Sequence, residues 1–292
     1  MAVRGIDVSQ WQGEIDFKEV RADGYEFVII RAGYGMYSSQ KDAYFERNYK
    51  KARAAGLGVG AYWYSYAVNV SQAREEAKVF LKAVEGKRFE YPLCFDIEDS
   101  SQSGLSRQTI GEMIDEFCTY LEDRGYYAAL YSYAYFLQNR VPERCRERYD
   151  VWVAAFDVAK PPYSGAYGMW QYTSSARVDG VSGYCDCDLA YKDYPAIMRE
   201  YGLNGYEEEG AEVLDSEGYE HGDESLGVYA LKKLIMLAFD KGWVSVGLGD
   251  HWYFGDGTRT DVNELLMGWG YRQNGIAGEG FIRKLYEKLK TG

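Results

Sequence analysis

Tyr91-Pro92-Leu93-Cys94-Phe95-Asp96-Ile97-Glu98-Asp99 is an apolar run that ends in two carboxylates spaced two residues apart. In an extended strand, residues i and i+2 share a face, about 6 to 7 Å apart along the backbone. Asp96 and Glu98 therefore point the same way, together with Cys94. Leu93, Phe95 and Ile97 occupy the other face and are all apolar, as a barrel strand requires where helices cover its outside. The acids then sit inside, at the carboxyl end of the strand, where enzymes built on parallel barrels keep their chemistry.

Two carboxylates at such a separation suppress each other's ionisation. At about 5 Å and an effective dielectric near 20 the repulsion is roughly 3 kcal/mol, or about two pKa units for the second proton lost. One acid stays protonated near neutrality while the other is charged, an arrangement suited to glycoside hydrolysis. The spacing alone serves equally well for a helix cap, solvated loop charges or a metal ligand pair, so the rest of the chain has to decide.

Upstream and downstream, short apolar strands alternate with helical stretches, the pattern of an α/β fold with a largely parallel sheet. Strands are predicted at 5–9, 27–32, 58–64, 93–98, 128–132, 151–155 and 169–172, with a last one carrying Asp186. Ser106 caps a predicted helix with Ile110, Met113, Ile114, Phe117 and Leu121 on one face, and Ser71 caps another with Ala73, Ala77, Phe80, Leu81 and Val84. After Asp157 the helical signal fades, so the barrel is expected to close irregularly. Residues 204–225 hold Glu207, Glu208, Glu209, Glu212, Asp215, Glu217, Glu220, Asp223 and Glu224 without a Lys or Arg, and read as an acidic linker. Three short helices follow, at 228–241, 258–269 and 278–290. The expected layout is a barrel over 1–203, the linker, and a small helical domain over 226–292.

Composition narrows the chemistry. The 292-residue chain is 47% hydrophobic, enough for a sizeable core, and no apolar run approaches the roughly 20 residues of a membrane span. A net charge of -12 argues against nucleic acid as a partner. Only His221 and His251 are present, so histidine triads and histidine-based metalloprotease sites are disfavoured. Cys185 and Cys187 have no second pair to complete a zinc site; no metal or cofactor is expected. Five cysteines without framework spacing suggest free thiols and synthesis in a reducing compartment. The first residues lack an apolar signal region. The 29 tyrosines suit the faces of sugars, although tyrosine also fills half-exposed strand faces.

Several strand ends would converge on one mouth. Asp7 follows Ile6 on the first strand, Arg31 and Tyr34 come from the second, and Tyr62 and Tyr64 share a face of the third. Tyr131 lies on the fifth, Trp170 and Gln171 near a later one, and Asp186 on the last. Four carboxylates, Asp7, Asp96, Glu98 and Asp186, are a poor way to build a core, because each unpaired buried charge costs several kcal/mol. A cleft explains them better.

The motifs at these strand ends resemble the glycoside hydrolase family 25 lysozymes, or N-acetylmuramidases. They are Gly5-Ile6-Asp7-Val8-Ser9-Gln10-Trp11-Gln12-Gly13, Ile30-Arg31-Ala32-Gly33-Tyr34-Gly35, Gly60-Ala61-Tyr62-Trp63-Tyr64-Ser65, Phe95-Asp96-Ile97-Glu98, Trp170-Gln171-Tyr172-Thr173-Ser174-Ser175, and Val178-Asp179-Gly180-Val181-Ser182-Gly183 leading to Asp186. The resemblance spans residues 1 to about 200 and implies an irregular TIM-like (β/α) barrel. It also implies cleavage of the β-1,4 bond between N-acetylmuramic acid and N-acetylglucosamine in peptidoglycan. By motif position Glu98 matches the general acid and Asp96 its partner, orienting the substrate's acetamido group or attacking as nucleophile. Asp7 and Asp186 match flanking acids. Where the family often has Asn-Val-Asp-Leu-Asn, this chain has Tyr184-Cys185-Asp186-Cys187-Asp188, which keeps the aspartate and changes its neighbours.

The tail resembles a small peptidoglycan-binding domain through Tyr253-Phe254-Gly255, Thr258, Val262, Asn274-Gly275-Ile276-Ala277-Gly278 and Leu285. Leu265 and Leu266 stand where an aromatic and a glutamine are usual. A role in oligomerisation is the alternative. The chain as a whole is expected to be an endolysin-type enzyme, made in the cytoplasm without a signal peptide and acting on peptidoglycan glycan strands of the bacterial wall after release. Two other readings compete: a glycan-binding module without turnover, and a glycosidase acting on another acetamido sugar polymer such as chitin.

Overall fold

A computed structural model of the chain describes residues 2–206, 214–249 and 251–291. The chain divides after residue 206 into two compact units. Eight strands close a barrel in the first: β1 (Val3–Val8), β2 (Phe27–Tyr34), β3 (Gly58–Tyr64), β4 (Leu93–Asp96), β5 (Ala128–Tyr133), β6 (Asp150–Ala154), β7 (Met169–Ala176) and β8 (Cys185–Ala190). The mixed α/β barrel agrees with the fold class read from the pattern. Pairs from β1–β2 through β6–β7 are parallel. Strand β8 runs antiparallel to both β7 and β1, which is the irregular closure. Its reversal matters to the site: Asp186, near the start of β8, stands beside Asp7, near the end of β1.

Outside the barrel run α1 (Phe17–Ala22), α2 (Phe45–Ala54), α3 (Val70–Val84), α4 (Arg107–Glu122), α5 (Ala134–Asn139), α6 (Glu143–Arg148) and α7 (Tyr194–Glu200). Ser106 Oγ accepts from the Thr109 N–H and caps α4, while Asn69, two residues before Ser71, caps α3 through Gln72. The outward side chains of β4 meet these helices as alternation requires. Phe95 stacks on Phe117 of α4 at 4.0 Å between ring centroids, and Phe117 contacts Phe80 of α3, which contacts Trp63 of β3. Burial of each such ring contributes about 1.5–3 kcal/mol.

The inward layer is a separate cluster including Phe27, Ile29, Cys94, Ala129, Trp152 and Met169. Glycine makes room for it: a Cβ on Gly5 would lie 2.2 Å from the Phe27 ring, and one on Gly60 would lie 2.6 Å from Ile29 Cδ1. All five cysteines are buried free thiols. Cys185 and Cys187 alternate with Asp186 and Asp188, so they pack in the outer layer.

The second unit contains α8 (Leu226–Asp240), α9 (Asp256–Gly268) and α10 (Glu279–Thr291) around Leu231, Ile235, Phe254, Val262, Leu265 and Phe281. The stretch expected to be linker is partly structural. Asn204 is fully buried in the barrel unit, where its side chain bonds Tyr91 O and the Tyr127 N–H. Leu214 and Tyr219 pack on the helical core, and Asp215 accepts from the Gly280 and Phe281 N–H groups at the start of α10. Acidic composition concealed these roles because a capping carboxylate reads like a solvated one. Glu207, Glu208, Glu209 and Glu212 lie outside the described residues. No helix among the described residues is long and apolar enough to cross a membrane.

Candidate active site

A cavity of about 300 Å³ opens at the carboxyl ends of the parallel strands, lined by Asp7, Arg31, Tyr62, Tyr64, Asp96, Glu98, Tyr131, Gln171 and Asp186 among others. The structure thus brings together all four acids and five of the seven binding candidates. Tyr34 and Trp170 are not part of this lining. Trp170 alternates with the inward Gln171, packs in the outer core and donates from Nε1 to Ala155 O at 2.8 Å. Tyr34 stands at the end of β2, edge-on to Tyr66 at 6.0 Å.

Asp96 closes β4 and is 3% exposed; Glu98 lies two residues beyond the ladder and is half-buried. Asp7 Oδ2 accepts from Gln171 Nε2 at 2.6 Å, and Gln171 Oε1 accepts from the Tyr131 hydroxyl at 2.8 Å. The three residues come from β5, β7 and β1, alternate strands of the barrel. Arg31 is held by Asp42, with Nε and Nη2 each 2.8 Å from Oδ2. An extra residue in β2 between Arg31 and Gly33 breaks the register with β3 beside this pair. Asp42 also accepts from the Gln10 and Tyr44 N–H groups.

Burial, and after it acidic crowding, sets the electrostatics. Burial, then the repulsion of Asp186, pushes Glu98 up to about 7, opposed in part by the Tyr131 hydroxyl. Burial raises Asp186 to about 6. Asp96 is raised well above the ordinary carboxylate range by burial and by Glu98, with Arg31 pulling it down. Burial and the repulsion of Asp186 and Asp188 do the same to Asp7, against the Gln171 bond. Such a cluster retains protons at neutrality, because like charges this close cannot all ionise. Three carboxylate oxygens of the cluster, Asp96 Oδ1, Glu98 Oε2 and Asp188 Oδ2, are buried without a hydrogen-bond partner among the described residues.

Sequence reasoning missed Asp188, Trp152, Tyr133 and Phe156. Asp188 is fully buried, and its Oδ1 accepts from Trp152 Nε1 at 2.8 Å. The i, i+2 rule that singled out Asp96 and Glu98 applies equally to Asp186 and Asp188, and to Tyr131 and Tyr133. A larger depression of about 710 Å³ lies at the opposite end of the barrel, but its Arg53 and Glu90 already pair at 2.8 Å.

The model of Glycosyl hydrolases family 25 matches residues 6–181, which span the barrel from the Asp7 strand to the turn before Asp186. The chain belongs to this family. Among similar proteins, the autolytic lysozyme of Clostridium acetobutylicum is 29% identical over 186 residues, 64% of this chain and 55% of the relative. The chain thus matches little more than half of that protein's length. The crystal structure of a bacterial lysozyme from Streptomyces coelicolor is similar at a TM-score of 0.59 and 28% identity, covering 66% of this chain and 93% of that one. The modular autolysin LytC of Streptococcus pneumoniae, solved in complex with a synthetic peptidoglycan ligand, is similar at 0.57 and 30% identity, covering 65% and 47%.

Proposed function

We propose that this family 25 chain is a muramidase that hydrolyses the β-1,4 bond between N-acetylmuramic acid and N-acetylglucosamine in bacterial peptidoglycan, with Glu98 as general acid and Asp96 as the assisting carboxylate. One observation carries the reading: a carboxyl raised to about 7, its Oε2 without a partner, beside a second carboxyl whose Oδ1 is equally free. In this reading the protonated Glu98 carboxyl gives its proton to the leaving glycosidic oxygen. Asp96, drawn toward its charged form by Arg31, orients and polarises the substrate's acetamido group as positive charge develops at the anomeric carbon. Asp186, raised only to about 6, keeps the local field negative, which favours the protonated acid and the cationic transition state alike. Tyr62, Tyr64 and Tyr131 offer ring faces to the sugars.

For the second unit we propose wall attachment. Trp252, Tyr253 and Tyr286 are exposed on it and suit contact with glycan or stem peptide. Glu98→Gln tests the assignment of the acid, since an amide retains the shape and cannot donate the proton. The variant should release at least about 100-fold fewer reducing ends from purified walls while still sedimenting with them. Full turnover in the variant would sink the role given to Glu98. Absence of turnover in the unaltered enzyme would favour a binding module, and preferential cleavage of chitin oligomers another acetamido-sugar glycosidase.

A further inference from the structure

Strand β4 ends at Asp96, so the sheet ladder stops before it reaches Glu98. Side chains take over where the strand ends. The Ile97 N–H still donates to Tyr131 O at 3.1 Å, but the Ile97 carbonyl accepts from Ser132 Oγ at 2.6 Å. On the other side of Glu98, the Asp99 N–H donates to Gln102 Oε1 at 3.0 Å. Ser132 and Gln102 are both fully buried.

The Gln102 amide has one way to lie. Its Nε2 donates to Ser65 O and Ala67 O, each at 3.1 Å, so a flipped amide would set its oxygen against two carbonyls. The turn that supplies those carbonyls is itself braced from α3. Glu76, fully buried, accepts from Ser65 Oγ at 2.6 Å and from the Tyr66 N–H at 2.9 Å. The Ser65 N–H in turn donates to Asp96 O at 2.9 Å. The loops after β3 and β4 are thereby tied into one piece beneath the two acids.

Resting on Glu98 as the acid, we propose that Gln102 and Ser132 are positioning residues that hold the Glu98 backbone from its two sides, with Ser65 and Glu76 locking Gln102 in place. Neither touches substrate; they act through the placement of the proton donor. A displacement of about 1 Å at a reacting group costs on the order of 100-fold in rate.

Gln102→Met keeps length and volume and removes every hydrogen bond; Ser132→Ala removes the bond from the other side. For each, kcat and KM on a soluble glycan fragment of peptidoglycan are measured beside the titration midpoint of the Glu98 carboxyl, read by carbon NMR. Gln102→Met should lower kcat roughly 10- to 100-fold with KM within about threefold, and Ser132→Ala should do so to a smaller degree. In both, the Glu98 midpoint should fall from about 7 as its carboxyl gains water. Unchanged kcat and an unmoved midpoint, with or without a lower Tm, would show a purely structural role and overturn the proposal. Should Gln102→Met not fold, Ser132→Ala decides by the same two readouts. An inactive unaltered enzyme would refute the functional reading, while the titration still judges the positioning.

Discussion

Replacing Glu98 by Gln should stabilise the barrel, increasingly so as the pH rises. In the folded chain Glu98 has its carboxyl raised to about 7 from an ordinary 4.5, mainly by burial. Between those values the folded state binds more protons than the unfolded one, so stability contributed by the protonated form is complete below about 4.5 and is lost as the pH climbs to about 7. The difference of about 2.5 units corresponds to roughly 3 kcal/mol at pH 8, and sharing of protons with Asp186 brings the expected gain to about 1.5–3 kcal/mol. Gln carries no charge at any pH and escapes that penalty. At pH 4 the gain should vanish, because both states of the unaltered enzyme then hold the proton. For a unit of this size, the gain at pH 8 translates to a rise in Tm of roughly 4–10 °C. Scanning calorimetry at pH 4, 6 and 8 on both proteins reads it from the barrel transition. A difference independent of pH, or a variant less stable at pH 8, would refute the reasoning that Glu98 is held protonated at a cost in stability.

Arg31→Met should destabilise the barrel by about 3–5 kcal/mol, because it strands the buried Asp42. It should also shift the acidic limb of the pH–rate profile upward, since Arg31 is the cation that pulls Asp96 down; urea titration and a pH–rate series check the two effects. Asp188→Asn keeps the acceptor for Trp152 Nε1 and removes a carboxyl that burial raises well above its ordinary range. Its stabilising effect should therefore grow from pH 4 to pH 8 in the same calorimetric assay, and loss of stability at pH 8 would contradict the assignment of Asp188 as a costly buried acid.

Much of the site was legible because strand alternation is a strong constraint. The apolar face of Leu93, Phe95 and Ile97 fixed the phase of β4, and the phase aimed Asp96 and Glu98 inward. The same rule, applied to the later strand, was weaker: Trp170 and Gln171 are both amphipathic, so neither announces its face, and only the Tyr131–Gln171–Asp7 bonds show which one turns in. Strand direction leaves no mark on residue pattern, which is why the antiparallel run of β8 had to come from the structure. Gln102, Ser132 and Glu76 were invisible for another reason. Only the Asp99–Gln102 capping box, three residues apart, is a local pattern; their other bonds reach partners 10 to 37 residues away, which no local spacing encodes.

Identification of the sugar at the new chain end tests the proposed muramidase most directly. Purified peptidoglycan is digested, reduced with borohydride and hydrolysed, and the reduced sugar is identified by mass spectrometry. Reduced N-acetylmuramic acid should accumulate with the unaltered enzyme and be absent with Glu98→Gln. Reduced N-acetylglucosamine instead, or equal release by both proteins, would contradict the assignment of bond and acid.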